Sequence, residues 1–332
     1  MTDMSAQLTR AGNPSTAGFV SSTAWGRPDR RRVLQLVLAT VWLLDGVLQL
    51  QATFFSSSFG KSMIGSMAGG NPSIIARPIS WSSDLIRQNP TATNAVFAAI
   101  QILIGLAIAW RPSVKIGLAA SIVWSLGVWW VGEGLGGVLS GAANTVNGAP
   151  GAVIIYALLA VLLWPRETPV ADAPFVAAQA VGAKWANGLW VVLWGSLSFF
   201  AVAGTNRAAG TLHDLISGEA SGEPGWVQWL DKAAASAVGS NGLTFTILLA
   251  LLSAVVAIGV FLPPRGADAT LALAMVLGAM IWVFGENFGA LFTNGATDLN
   301  SGPLLILLAV AYWRPLGATA VATTGQLATQ GA

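Results

Sequence analysis

Eight apolar segments, each close to the length of a bilayer span, constrain the fold of this chain more than any other feature. A transmembrane helix needs about 20 mostly apolar residues, and the shorter segments reach this length with helical flanks or tilt. Only 9% of the 332 residues are charged, against about 25% in soluble domains. We therefore predict an all-α integral membrane protein with eight transmembrane helices, at residues 33–55, 94–110, 116–133, 150–164, 187–204, 242–262, 269–286 and 302–314.

Basic residues in the connections predict the orientation of these segments. The two shorter loops on one side of the membrane, residues 134–149 and 287–301, carry no Lys or Arg. The positive-inside rule then predicts a multi-pass protein of the cell (inner) membrane with both termini cytoplasmic. The excess of Arg over Lys is typical of a GC-rich bacterial genome. If all eight segments cross the membrane, one side carries Arg10, Arg27, Arg30, Arg31, Arg32, Arg111, Lys115, Arg166, Lys184, Arg265 and Arg314.

An internal repeat predicts that the eight helices form two parallel four-helix units. Two stretches match without a gap, and each ends a third span and opens a fourth. Because four spans is an even number, the second unit enters the membrane in the same direction as the first. The matched pairs are Trp129/Trp282, Gly132/Gly285, Glu133/Glu286, Gly136/Gly289, Ala143/Ala296, Asn147/Asn300 and Pro150/Pro303.

The repeat and the composition together predict the organisation of the chain. The ends are rich in small polar residues, which is typical of disorder. We predict a disordered basic cytoplasmic N-terminus (1–32), a first membrane unit (33–165), a cytoplasmic linker (166–186), a second membrane unit (187–315) and a disordered C-terminus (316–332). Each long outer loop also contains an amphipathic segment, 78–88 in one and 225–238 in the other, suited to the membrane surface.

Asp45 lies inside the first span, about 20 Å from its start at 1.5 Å per residue, and Gln49 follows one turn later on the same face. A carboxylate at this depth is costly unless it is paired, protonated or hydrated. Asp45 is therefore either a functional acid or a hydrogen-bonded residue that locks the first span to its neighbours. The second half has no acid at the matching place.

Glu133 and Glu286 are predicted near the outer ends of the third and seventh spans, where each meets the negative end of its own helix dipole. In the structural interpretation, each accepts hydrogen bonds from backbone N–H groups of its own glycine-rich loop. In the functional interpretation, both acids form a polar outer vestibule with Asp45 and Gln49.

The other repeated residues predict structural roles. Trp129 and Trp282 suit the ends of membrane spans. Pro150 and Pro303 fit the first position of a helix. The glycines permit close packing or tight turns, namely Gly132, Gly136, Gly285 and Gly289.

The residue types exclude several kinds of site. The chain has no Cys and one His, so it cannot supply a cysteine-ligated iron–sulfur or zinc site or a bis-histidine haem. We predict no metal site, no catalytic residues and no nucleic-acid partner, and the sequence identifies no cofactor.

Several residues of the first unit follow a known pattern. Arg32 stands shortly before the first span, Gly46 lies within that span, a long outer loop follows, and the second span (NAVFAAIQILIGLAIAW) centres on Gly105 before a short basic turn. In these features the unit resembles the DoxX-like family of small bacterial membrane proteins, here in tandem duplication. The family usually has a Lys soon after the first-span Gly, where this chain has Gln49 and Gln51. The resemblance implies quinone-linked or thiol-linked redox partners.

Two functions remain open from the sequence. The first is a non-catalytic membrane subunit or scaffold that associates with lipid or quinone and with a membrane or redox protein. The second is a small-molecule transporter that uses Asp45 as an intramembrane acid on a path between the two units. A membrane enzyme is disfavoured because the sequence contains no recognisable catalytic constellation.

Overall fold

The computed structural model describes residues 29–167 and 173–314, and within these ranges all regular secondary structure is helical. The predicted all-α class is therefore confirmed for this part of the chain. The predictions of disorder for residues 1–28 and 316–332 lie outside the described residues.

Twelve α-helices occur in the described ranges, joined by short 3₁₀ and π turns. They are α1 (Arg30–Leu48), α2 (Ser73–Gln88), α3 (Pro90–Ala109), α4 (Val114–Val131), α5 (Ala152–Leu162), α6 (Val176–Val181), α7 (Ala183–Ala201), α8 (Thr211–Glu219), α9 (Gly225–Val238), α10 (Gly242–Gly259), α11 (Pro264–Met280) and α12 (Ser301–Tyr312).

Most of each predicted apolar segment is helical, covered in order by α1, α3, α4, α5, α7, α10, α11 and α12. Four stretches are long and apolar enough to cross a membrane: Pro90–Ala109, Arg111–Val131, Gly225–Gly259 and Pro264–Gly285. Helices α5 and α12 are apolar but shorter.

The exposure of the long apolar helices indicates contact with lipid. Only 22% of the apolar window in Arg111–Val131 is buried, and 28% of the window in Pro90–Ala109. Large side chains such as Leu103, Ile116 and Val123 are 63%, 70% and 73% exposed. So extensive an apolar surface is unfavourable in water and suits the hydrocarbon of a bilayer.

Helix α1 begins earlier than predicted because its basic residues have specific partners. The Asp29 side chain accepts a hydrogen bond from the Arg31 backbone N–H and caps the helix. The Arg31 side chain donates to Gln179 Oε1, and Arg32 Nη1 donates to the Ile108 carbonyl at 2.9 Å. Arg30, Arg31 and Arg32, predicted as part of a disordered tail, therefore belong to α1.

The helices have the same neighbours in both halves of the chain. In the first half α1 packs on α3, α3 on α4, and α4 on α5. In the second half α7 packs on α10, α10 on α11, and α11 on α12. The mostly buried helices α5 and α12 also pack against each other, so they form the centre of the helical assembly.

The predicted linker contributes to the core. Helix α6 contacts α5, α7 and α12, and its Ala177 and Ala178 are fully buried. Helix α7 also starts at Ala183, within the predicted linker. At least residues 175–181 are thus packed against both halves, which a free linker would not be.

The long loops contain the amphipathic helices expected from their spacing. Helix α9 covers the predicted residues 225–238, and α2 extends the predicted segment 78–88 back to Ser73. Trp81 on α2 and Trp229 on α9 are 67% and 70% exposed, and their exposed aromatic faces suit a membrane interface.

Candidate functional site

Asp45 is buried at the junction of α1 and the central helix α5. The residue is 2% exposed, and its Oδ2 accepts a hydrogen bond of 2.5 Å from the Tyr156 hydroxyl. Its Oδ1 has no hydrogen-bond partner among the described residues. One turn earlier, Trp42 Nε1 donates to Ser121 Oγ at 3.0 Å. These contacts fix α1 against α5 and α4, as expected for a residue that locks the first span in place.

Gln49 is directed to a different helix from Asp45. Its Nε2 donates to Asn94 Oδ1 at 2.5 Å, and Asn94 Nδ2 donates back to the Gln49 carbonyl at 2.8 Å. Both residues are buried. Gln49 therefore joins the C-terminal end of α1 to α3, and its side chain makes no hydrogen bond to the Asp45 carboxylate; the two residues are linked through the backbone, where the Gln49 N–H donates to the Asp45 carbonyl at 2.8 Å.

Glu286 caps the first turn of α12. Its Oε1 accepts from the Ser301 N–H at 3.1 Å and from the Ser301 hydroxyl, and its Oε2 accepts from the Gly302 N–H at 3.0 Å. The N–H groups at a helix start lack partners within the helix and carry partial positive charge. The positive end of α12 thus offsets the unfavourable position of Glu286 after the preceding helix.

Glu133 lies at the start of α5 as Glu286 lies at the start of α12, but its hydrogen bond is longer. Its Oε1 accepts from the Val153 N–H at 3.4 Å, and its Oε2 has no partner among the described residues. The interpretation that the donors belong to the glycine-rich loop is wrong for Val153, which donates to Glu133, and for Gly302, whereas Ser301 is the last residue of the predicted loop 287–301. The donors lie in the first turn of the following helix, because that is where unpaired N–H groups are concentrated.

The pKa values of the acids beyond the helix ends are raised. Burial raises the pKa of Glu133 to about 8, and the carboxylates of Asp298 and Glu286 add to the rise. Burial raises the pKa of Glu286 to about 7, against the opposing hydrogen bonds from Ser301 and Gly302. Burial also raises the pKa of Asp298.

Two connections, which we name the first motif loop (132–151) and the second motif loop (286–300), are held by side chains from opposite halves of the chain. Gln51 follows α1 in the first half, and its Nε2 donates to the carbonyl of Ala296 at 2.9 Å. Asn206 follows α7 in the second half, and its Nδ2 donates to the carbonyl of Ala143 at 2.9 Å. Ala143 and Ala296 are a matched pair of the repeat, so the two contacts are crossed between the halves and end on matched carbonyls.

Further bonds attach the first motif loop to the second half. Thr145 Oγ1 donates to the Leu197 carbonyl in α7 at 2.5 Å. Asn144 Nδ2 donates to Asn206 Oδ1 at 2.8 Å. These bonds hold the buried residues 143–146 of the loop against the second half.

The repeated glycines allow the motif loops to pack closely. Gly136 has φ +62°, and a Cβ there would overlap the Pro150 carbonyl. A Cβ on Gly285 would overlap the Val146 carbonyl, which belongs to the other half. Gly289 has φ +69°, and Gly132 lies against the Val128 carbonyl of its own helix. Close packing and tight turning, as predicted, explain these positions.

The repeated Trp and Pro residues differ between the two copies. Trp129 Nε1 donates to the Pro150 carbonyl at 2.6 Å, whereas Trp282 Nε1 has no partner among the described residues. Pro150 lies two residues before α5, and Pro303 is the third residue of α12. The assignment of both prolines to the first helical position is therefore wrong. Pro303 is tolerated because N–H groups in a first turn are unpaired within the helix.

Sequence reasoning missed Tyr156, Ser301 and Asn206, which supply partners to the acids and the motif loops. A signal for Tyr156 was available. The chain has two tyrosines, and both lie in the central helices α5 and α12, where a buried phenol needs an acceptor. Ser301 and Asn206 carry no comparable signal because Ser and Asn are common in loops.

The residues behind the family resemblance all lie where α1 meets α3. Arg32 donates to the Ile108 and Ala109 carbonyls at the end of α3. A Cβ on Gly46 would overlap Ile102, and a Cβ on Gly105 would lie 2.9 Å from the Ala39 carbonyl. The pattern therefore corresponds to a close helix–helix contact, of the kind small residues permit in membranes.

Asp45, Glu133 and Glu286 line neither of two surface cavities in the described part of the chain. The first measures about 530 Å³ and is polar, lined by Ser57, Ser58, Lys61, Ser62, Asp84, Arg87 and Gln88. The second measures about 340 Å³ and is mostly apolar, lined by Ser198, Val202, Arg207, Leu243, Ile247, Ala250, Leu251 and Ala254. Within the described ranges no three His, Asp or Glu side chains converge to hold a metal ion.

Comparisons of the chain with protein-family models, with curated protein sequences and with solved structures each gave no match. Function must therefore be argued from the geometry.

Proposed function

We propose that this chain is a multi-pass protein of a bacterial inner membrane, with eight spans arranged as two parallel four-helix units and both termini cytoplasmic. Helices at all eight apolar segments, the same helix neighbours in each half and the matched Glu contacts support this proposal. Reporters fused to each terminus test it: an even number of spans requires both reporters on the same side, and the basic residues predict that this side is cytoplasmic. Reporters on opposite sides would refute it.

A distant relationship to the DoxX-like family is part of the proposal. The proposal is supported by the position of Arg32, Gly46 and Gly105, which all lie at the close contact between α1 and α3. In this chain Gln49 and Gln51 make internal contacts with Asn94 and Ala296. These contacts give the two Gln residues structural roles at the place where the family usually has a Lys.

The activity we propose is that of a non-catalytic membrane subunit or scaffold, associated with lipid or quinone and with a membrane or redox protein. One observation carries it. The acids that could have formed a reaction or transport site are closed inside the protein and engaged in contacts between helices. The surface that remains consists of exposed apolar helices and exposed tryptophans on α2 and α9, which suit contact with lipid and other membrane proteins.

Gentle purification of the native protein, followed by identification of bound proteins and quinones, tests the subunit proposal. We expect a partner protein or a quinone in stoichiometric amount. Recovery of neither, from membranes of cells that express the protein at its natural level, would count against a subunit.

A transporter remains the second candidate, favoured by the unpartnered Oδ1 of the buried Asp45. A free carboxylate oxygen at this depth can bind a proton or a cation. Proton entry into vesicles containing the purified protein, driven by an imposed membrane potential, separates the two functions. The Asp45→Asn variant keeps an acceptor for Tyr156, so its fold should be retained.

If Asp45 carries protons, the Asn variant should lose most of the flux seen with the wild type. For a scaffold, the wild type and the variant should both match empty vesicles. Glu133→Gln is a suitable comparison, because Glu133 also has an unpartnered oxygen but lies beyond the end of α4.

A further inference from the structure

The two halves differ at one equivalent helix contact. In the first half, Gly46 and Gly105 bring α1 and α3 into close backbone contact. In the second half, the position 153 residues after Gly46 is Phe199, which is 65% exposed. The corresponding pair, α7 and α10, is bordered by the apolar cavity of about 340 Å³, a size typical of small ligand sites.

The shape of this cavity, which we name the α7–α10 groove, suits a hydrocarbon chain. Its lining on α10 runs from Leu243 to Ala254, about 16 Å along the helix axis at 1.5 Å per residue. Leu251 is 60% exposed and Ile247 is 44% exposed, so the groove opens on the apolar surface. Its Ser198 hydroxyl is already used, because it donates to the Ala250 carbonyl at 2.8 Å.

A single cationic side chain lines the groove. Arg207 closes the turn Gly204–Arg207 after α7, and this turn packs against α10. The residue is exposed, and no ion pair or side-chain hydrogen bond joins it to the described residues. An exposed guanidinium group whose N–H donors are not used within the protein can bind a phosphate with two parallel hydrogen bonds.

We propose that the α7–α10 groove binds one anionic phospholipid, with an acyl chain along α10 and the headgroup phosphate on Arg207. The inference rests on the proposed function and names the lipid that the subunit holds. A quinone supplies no anion for Arg207, and inorganic phosphate supplies no chain for the groove. In the proposed topology Arg207 lies in an outer loop, so the lipid belongs to the outer leaflet.

Native mass spectrometry of the purified full-length chain in detergent, titrated with phosphatidylglycerol, tests the proposal. We expect one tightly bound lipid. Arg207→Gln should weaken binding about tenfold or more, as expected for loss of hydrogen bonds to a charged group. Ala254→Leu, which fills the groove, should weaken it to a similar degree.

Two matched variants control for general effects. Arg77→Gln removes an exposed Arg from the first outer loop, and Ala99→Leu enlarges an exposed residue of α3. Neither substitution should change the affinity of the protein for phosphatidylglycerol. Diacylglycerol, which lacks the phosphate, should bind the wild type as weakly as phosphatidylglycerol binds Arg207→Gln.

Other outcomes would overturn the assignment. Equal weakening by Arg77→Gln would mean nonspecific attraction to anionic lipid. Unchanged binding in Ala254→Leu would exclude the groove as the acyl site. If the wild type retained a partner protein but bound no lipid here, the groove proposal would fail while the subunit proposal stood. If the wild type bound the lipid specifically but was purified without a partner protein or quinone, the groove proposal would stand while the subunit proposal failed.

Discussion

Replacement of Glu286 by Ala tests the contact that closes the start of α12. The substitution removes the acceptor of the Gly302 N–H and one of two acceptors of the Ser301 N–H. Ser301 keeps a partner, because its N–H also donates to Asn300 Oδ1 at 2.9 Å. Two buried donors, the Gly302 N–H and the Ser301 hydroxyl, are therefore left without a partner.

The structure sets the size of the effect. An unsatisfied buried donor costs about 1–3 kcal/mol, and the substitution leaves two such donors. We expect Glu286→Ala to lower the free energy of unfolding by about 2–4 kcal/mol. The matched variant Glu133→Ala removes a single contact of 3.4 Å and an unpartnered oxygen. Its cost should be at most about 1 kcal/mol.

Titration of the detergent-solubilised protein with SDS, followed by tryptophan fluorescence, measures both variants against the wild type. The informative quantity is the difference between the two variants in the free energy of unfolding that each loses relative to the wild type. Equal losses, or a loss below about 1 kcal/mol for Glu286→Ala, would show that hydrogen bonding at the start of α12 does not stabilise the fold as reasoned here.

Three further predictions concern the same region. Burial raises the pKa of Glu286 from 4.5 to about 7, so the folded protein binds this proton more tightly than the unfolded chain. Its contribution to stability is complete below about pH 4.5 and is lost as the pH rises through about 7. The SDS concentration at the unfolding midpoint should decrease as the pH is raised from about 5 to about 8. Glu286→Gln should make this decrease smaller; an unchanged pH dependence would contradict the assignment of the effect to Glu286. Gly285→Ala should destabilise by about 1–3 kcal/mol through its clash with the first motif loop, whereas Gly195→Ala, with open space around it, should stabilise a helix by up to about 1 kcal/mol. Changes of the same sign in their unfolding midpoints would refute the packing argument. Gln51→Ala should speed proteolysis within the second motif loop, and Asn206→Ala within the first; cleavage confined to the loop of the mutated half would contradict the crossed contacts.

The positions of the helices could be predicted from the sequence because apolar length and helical spacing are local properties. Trp226, Trp229 and Leu230 at helical spacing marked α9 over its full extent, residues 225–238. The start of α1 was placed too late because it depends on distant partners. Arg32 contacts Ile108 and Arg31 contacts Gln179, 76 and 148 positions further along the chain.

The candidate site could be predicted only in part. The repeated Glu residues were recognisable, and their interpretation as hydrogen-bonded structural acids named the right kind of contact with the wrong donors. The partner of Asp45 could not be found, since Tyr156 lies 111 positions away. In lipid, apolar helices gain little from one neighbour over another, so the sequence pattern does not fix which helix faces Asp45.

The exchange of Gln51 and Asn206 between halves has a consequence for biosynthesis. When the first four-helix half has left the ribosome, the residue that holds its loop carbonyl at Ala143 is still unmade. Insertion and final packing are therefore separate events, and the early half must wait in the bilayer in an incomplete state. A chain cut short at the linker would lack Asn206, so the Ala143 carbonyl would have lost its amide donor.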